Sequence, residues 1–466
     1  MLFNSIPFLI LVAVTVIAVM VARSREQQMI VLLISSYLFY AYWDVRYLLL
    51  MLFVEYVSYV FARIVEARRN RYLFALGIAL PIAILLIFKY SGFIGNNFSL
   101  FFTGEKVDNL RSYALPIGIS FYTFQSLSYL IDVWRGEIKA RKRFLEVSLY
   151  ISFFPQLVAG PIMRAKDFLP QLENKIKITG ANISEGVQIF TWGLFKKIVI
   201  ADRLAVCVDS VFMAPKAYSG LSLVMAAISY ALQILCDFSG YSDMAVGTAK
   251  VFGFDLCRNF DLPYLSQNPS EFWRRWHISL SNWLRDYLYI PLGGNRKGIT
   301  RTYINLMVTM LLGGLWHGAS WNFVIWGGLH GLALVIHRLY RGFIINRIPG
   351  IRNSALYSAL CTVVNNVFVI CCWVVFRLES FSDIKDFFSG IITWQKGIDY
   401  IYVYTVVFVI LTLIYYIYSK KRKNSHAWDC ILELTNPKQL FMFSFFIWMI
   451  ILFGYLGNNA FIYFQF

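Results

Sequence analysis

Apolar runs of membrane-crossing length, separated by short basic clusters, recur along nearly all of this 466-residue chain and leave no polar block long enough to build a soluble domain. In lipid every backbone N–H and C=O must be satisfied within the chain, so only helices or a closed barrel can span. Runs of about 20 residues fit helices. Charged residues make up 15% of the sequence, against roughly 25% in a soluble protein. The expectation is a single all-α polytopic membrane domain over residues 1–466.

Spans are expected at Ile6–Ala22, Met29–Trp43, Leu48–Ile64, Tyr72–Tyr90, Tyr113–Val133, Leu221–Phe252, Leu356–Phe376, Tyr400–Tyr418 and Leu440–Tyr455, with a polar loop from residue 91 to Arg111. The stretch Val187–Phe212 is broken by Lys196, Lys197, Asp202 and Arg203 and reads poorly as a span. Leu145–Gly160 is short, has basic residues on both flanks and contains Pro155, a pattern that suggests a re-entrant segment. The first run has no basic residue before it and Arg23 and Arg25 after it, so it reads as an uncleaved span rather than a signal peptide.

The 43 Lys+Arg against 26 Asp+Glu give a net charge of +17, which suits nucleic acid, anionic lipid or the positive-inside bias of a membrane protein. Position decides. The cations cluster between apolar runs, at Arg63–Arg71, Lys139–Arg143 and Lys420–Lys423, as cytoplasmic loops do. No nucleic-acid partner is expected, and the alternation puts the N-terminus outside the cytoplasm. The seven cysteines show no CxxC or Cys/His metal spacing, and no metal is expected.

Glu271–Tyr287 carries Trp273, Trp276, Leu280, Trp283 and Tyr287 at helical spacing with arginines between them, which predicts one amphipathic interfacial helix. After it, Tyr303–Leu315 and the apolar stretch to Val335 form a hairpin about Trp316-His317-Gly318. If residues 303–316 are helical they rise about 21 Å, short of a bilayer core about 30 Å thick. His317 then lies at a helix break deep in the membrane. Carboxylates at that depth need a partner or a polar cavity, so Asp237 and Asp243 are read as facing the interior, with helix bracing as the other reading.

Of five histidines, His337 and His426 read as interfacial and His330 as hydrogen-bonded to a neighbouring helix. His277 and His317 sit among Trp, Ser, Asn and Arg side chains that have no reason to gather on a lipid face. Imidazole takes and returns a proton near neutral pH, and Asn322 or Ser320 is placed to orient the His317 ring. On the residues alone, catalytic and structural roles both stay open.

Leu115–Tyr122, Ala159–Ile162, Asp237–Ala245, Glu271–Asn295, Leu312–Gly318 and Trp373–Arg377 follow one another in an order that resembles the membrane-bound O-acyltransferase (MBOAT) family, in particular its bacterial branch containing the alginate O-acetyltransferase membrane subunit. The resemblance covers nearly the whole chain. It implies about eleven transmembrane helices with re-entrant and interfacial helices around a central tunnel, and a catalytic role for His317, with His277 as an auxiliary histidine. It implies acetyl-CoA as the donor, with no permanently bound cofactor; Arg274, Arg275, Arg285 and Arg296 meet its phosphates unless they serve only as positive-inside anchors. Asp237, Asp243, Trp316 and Asn322 are the tunnel-lining candidates. A separate extracytoplasmic serine esterase-like transferase would pass the acetyl group to a polysaccharide, and the site would be the bacterial inner membrane. Peptidoglycan O-acetylation, D-alanyl transfer to teichoic acid and a non-enzymatic transporter are the competing expectations.

Overall fold

The computed structural model describes residues 1–103, 115–158, 160–348, 350, 354–421, 431–455, 457 and 461–462. His426 and the end of the expected loop, residues 104–111, lie outside them. Helices dominate the described residues, and the one β-bridge among them joins Tyr218 to Ile398. Five helical segments are long and apolar enough to cross a bilayer: Val45–Arg68, Arg71–Phe102, Gly220–Val251, Trp321–Phe343 and Ala355–Arg377. Three more apolar helices are shorter: Ile6–Val21, Val403–Tyr415 and Pro437–Phe453.

The chain divides into two compact units, one of residues 1–191 and 241–258, the other of residues 192–240 and 259–466. The first holds α1 (Ile6–Val21), α2 (Arg25–Ala41), α3 (Val45–Arg68), α4 (Arg71–Leu85), α5 (Ser91–Thr103), α6 (Ile119–Arg135), α7 (Phe144–Ser152), α8 (Phe154–Leu157), α9 (Ala165–Phe168) and most of α10 (Gly180–Leu194). A five-residue π turn, Leu86–Tyr90, joins α4 to α5, so helix replaces the expected loop as far as Thr103. The π turn absorbs the change of pitch without a break. Conversely, α6 starts six residues later than expected, because Pro116 and Gly118 (φ 76°) precede it. Over the expected short segment 145–160, α7 has nine residues, about 14 Å of rise and too few to cross a bilayer, and ends at Phe153 before Pro155.

The second unit contains α11 (Asp202–Met213), the first part of α12 (Gly220–Val251), α13 (Pro269–Arg275), α14 (Ile278–Leu284), α15 (Ile299–His317), α16 (Trp321–Phe343), α17 (Ala355–Arg377), α18 (Phe381–Ile392), α19 (Val403–Lys421) and α20 (Pro437–Phe453). The charged interruption at residues 196–203 does not end the helix. A π turn, Phe195–Ala201, carries α10 into α11, and its Lys197 reaches Asp202 at 2.8 Å and Asp237 of α12 at 2.7 Å. All three are almost fully buried, and pairing with the shared cation is what lets the two carboxylates sit inside.

The single amphipathic helix expected over residues 271–287 is two short helices instead. The backbone turns over at His277, whose φ of 43° lies in the left-handed region, a conformation costing a non-glycine residue roughly 1–2 kcal/mol. Trp276, Leu280 and Trp283 are buried, so this segment is packed into the protein rather than laid on its surface.

α15 and α16 form the hairpin that carries the site. A Cβ on Gly314 would lie 2.2 Å from the Phe323 carbonyl oxygen, and one on Gly327 would lie 2.3 Å from that of Met310. The two backbones therefore meet where only glycine fits. α15 begins at Ile299, four residues before the expected start, and ends on His317 as the hairpin reading required.

Candidate active site

Three histidines of the second unit converge in one cluster of aromatic rings. His317, the last residue of α15, is walled by Trp316, Trp326 and Phe376, with ring centroids 5.1, 5.0 and 5.3 Å away. Trp316 lies between His317 and His277, 5.8 Å from the latter. Trp326 in turn separates His317 from His330, which it approaches to 4.8 Å. All three imidazoles are buried, in surroundings that exclude bulk water.

His277 owes its place to Asn259. The Asn259 Oδ1 accepts from the Ser279 amide at 3.1 Å and from the Ser279 hydroxyl at 2.7 Å, and it lies 3.4 Å from His277 Nδ1. An atom that accepts the Ser279 N–H is the oxygen, so the attractive tautomer of His277 carries its proton on Nδ1. The Nε2 lone pair is then free, and this nitrogen has no hydrogen-bond partner among the described residues. The residue lies between two short helices, where burial pushes its imidazole down to about 3. So weak a base holds a hydrogen bond from a substrate better than it keeps a proton.

His330 departs from its expected role. Neither ring nitrogen has a hydrogen-bond partner among the described residues. The ring stacks on Phe272 at 5.9 Å and meets Trp273 and Phe368 edge-on at 5.2 and 5.4 Å. Aromatic faces, not a neighbouring helix's polar groups, hold it.

The tunnel-lining candidates separate. Trp316 is part of the ring cluster. Asn322 donates its amide to the Phe376 carbonyl at 3.0 Å, and thus ties α16 to the end of α17, which presents Phe376 to His317, rather than orienting the imidazole. Asp237 faces Lys197 and accepts the Ile462 amide at 2.8 Å; it is a committed structural carboxylate. Its neighbour Phe238 meets the His277 ring at 4.6 Å. Asp243 is buried within the first unit.

The four arginine candidates also differ. Arg275 is held by Glu271 at 3.0 Å and Asp261 at 3.5 Å, and Arg285 by Asp286 at 2.6 Å. Arg296 is exposed in the turn before α15. Arg274 lines a cavity of about 740 Å³ together with His337, Arg338 and Arg341 from the end of α16, and Asn295, Tyr357 and Cys361. Among the described residues no carboxylate lines it. A basic cavity without a counter-charge is matched to a phosphate-bearing ligand. Sequence reasoning passed over Arg338 and Arg341, which read as loop anchors, and Asn259, whose bond to a segment 18 residues later leaves no local signal.

Placed beside known proteins, residues 135–382 match the membrane-bound O-acyltransferase family, a range that holds all three clustered histidines. The chain is 40% identical to a probable alginate O-acetylase of Pseudomonas putida, over 82% of this chain and 78% of that protein. It is 37% identical to a peptidoglycan O-acetyltransferase of Helicobacter pylori, over 78% and 73%. A teichoic acid D-alanyltransferase of Streptococcus thermophilus is 26% identical, over 70% and 75%.

Proposed function

From a chain that belongs to the membrane-bound O-acyltransferase family, and is therefore a multi-pass membrane enzyme moving acyl groups onto oxygen, we propose that acetyl-CoA in the cytoplasm is the donor and an alginate-type exopolysaccharide outside is the final acceptor. The enclosure of His317 at a helix end, with His277 Nε2 open in the same ring cluster, carries the reading. The His317 imidazole takes the proton of the attacking hydroxyl as its oxygen adds to the thioester carbonyl. When the intermediate collapses, the C–S bond breaks and the proton passes to the leaving thiolate. His277 Nε2 accepts a hydrogen bond that orients the bound groups.

The arrangement along α16 supports a donor entering from the basic end. Arg338 and Trp326 are 12 residues apart, about 18 Å of helix, so phosphates at Arg274, Arg338 and Arg341 leave an extended arm to reach the rings around His317. α13 serves both ends, with Arg274 in the cavity and Trp273 against His330. The alginate reading follows the 40% identical relative, and the immediate acceptor is a serine hydroxyl of a separate extracytoplasmic transferase. The basic loops support an N-terminus outside the cytoplasm, in a protein of the bacterial inner membrane.

His317→Ala tests it. Polymer-bound acetyl in cells should fall by at least about 100-fold, the scale of a lost general base, with the variant at normal abundance in the membrane. Unchanged acetyl content would leave only a transport or scaffold role. Loss of peptidoglycan acetyl in place of exopolysaccharide acetyl would reassign the acceptor.

A further inference from the structure

Two basic clusters far apart in sequence, one at the end of α3 and one after α6, come together around a second cavity, of about 670 Å³, in the first unit. Six cationic and three acidic side chains line it. Two of the three carboxylates are ion-paired and the third is hydrogen-bonded to backbone. Glu66 accepts the Ala140 amide at 3.1 Å, Glu146 pairs with Arg25 at 2.5 Å, and Glu173 pairs with Arg141 at 3.0 Å. Arg143 and Lys166 are answered from outside the cavity by Glu26 and Glu137. Arg63, Lys139 and Lys142 are left with no ion pair among the described residues.

All three side chains are exposed, and Arg63 among them is held in place. Arg63 donates to the Tyr59 hydroxyl at 2.9 Å, and that hydroxyl donates to the Lys142 carbonyl at 2.8 Å. The chain of bonds fixes the guanidinium beside the Lys139–Arg143 loop, an arrangement of like charges that an anion would stabilise. Arg63 lies within the membrane-crossing helix α3, five residues before its end at Arg68 and about 7.5 Å from it along the axis. Ile138, Leu169 and Pro170 give the cavity an apolar wall. Fixed cations at a span's end beside apolar surface match a ligand that is itself anchored in the bilayer.

We propose that this cavity binds the headgroup of an anionic phospholipid carrying two phosphates, with Arg63, Lys139 and Lys142 as its cationic contacts. The site is separate from the acyl-transfer chemistry and steadies the cytoplasmic ends of α3 and α6. The test compares thermal unfolding of the detergent-solubilised full-length protein with added cardiolipin, phosphatidylethanolamine or soluble pyrophosphate. Cardiolipin alone should raise the melting temperature by several degrees, and Lys139→Arg/Lys142→Arg should keep the rise. Arg63→Gln/Lys139→Gln/Lys142→Gln should lose at least half of it. If that variant melts lower than wild type without lipid, the question passes to wild-type protein, where mass spectrometry of the native complex should find cardiolipin retained over phosphatidylethanolamine. An equal rise with phosphatidylethanolamine or pyrophosphate, an undiminished rise in the Gln variant, or no preferential retention would overturn the proposal.

Discussion

At the scale of single residues, His277 makes a prediction with a definite sign. Its folded value of about 3 lies below the ordinary 6.5, so between those pH values the unfolded chain binds a proton that the folded chain refuses. Stability therefore rises with pH through that window and is flat above it. Going from pH 7.5 to 5.5, the solubilised protein should lose about 1.4 kcal/mol more than the His277→Gln variant, the amount one group contributes a unit below its unfolded value. Denaturation midpoints at the two pH values measure this, and a parallel loss in both proteins would show that His277 titrates freely when folded. The arginines give a second prediction. Arg274→Gln should raise KM for acetyl-CoA by about tenfold with little change in kcat, since a charge-assisted hydrogen bond contributes roughly 1.5–3 kcal/mol. Arg285→Gln should leave KM nearly unaltered, because Asp286 already occupies that guanidinium. Sequence alone brought out His317 and His277 by their polar company. It ranked four arginines together because it cannot see which ones have a carboxylate within reach.

At the scale of elements, the hairpin of α15 and α16 was legible because glycines and a Trp-His-Gly turn interrupt an otherwise apolar pattern, and the break falls on His317. The pair α13 and α14 was not legible as two helices. The Trp and Leu spacing from 273 to 287 runs straight through the reversal at His277, which is imposed by Asn259 from another part of the chain and not by local propensity. Close approach of α15 and α16 yields a test with its own control. Gly314→Ala would force a methyl group to 2.2 Å from a main-chain oxygen, and backbone cannot swing aside as a side chain can. The hairpin must part, at a cost of about 1–3 kcal/mol, and His317 moves with it, so acetyl transfer should fall along with the melting temperature. At Gly328, on the partner helix α16, the nearest atom to an added Cβ is a Leu311 methyl at 3.6 Å. Gly328→Ala should therefore keep activity and melt at or slightly above the wild-type temperature, given the roughly 1 kcal/mol helix preference of alanine over glycine. Equal destabilisation by both would mean the crossing is looser than its glycines imply.

At the scale of the whole molecule, the buried charges join segments that the sequence keeps apart. The sequence requires that a carboxylate such as Asp237, within an apolar span, find a partner, but Lys197 lies 40 residues earlier inside what reads as a charged interruption, and only the fold brings them to 2.7 Å. Asp237 also receives the Ile462 amide, 225 residues later in the chain, so one carboxylate fixes the region before α11 and the end of the chain to α12. Removing the shared cation tests whether this triad governs assembly. Lys197→Met leaves Asp202 and Asp237 facing each other in a nearly water-free place, and breaking a buried pair in this way costs about 3–5 kcal/mol. The variant should accumulate poorly in the membrane and melt well below wild type. Adding Asp202→Asn and Asp237→Asn removes the stranded charges while keeping a hydrogen-bonding group beneath Ile462, so the triple variant should recover most of the lost abundance and melting temperature. Since none of the three substituted side chains is itself a member of the ring cluster, which meets Phe238 beside Asp237, the recovered protein should transfer acetyl groups at close to the wild-type rate. If the triple variant is folded yet inactive, the triad takes part in the chemistry and its carboxylates are more than ties between helices.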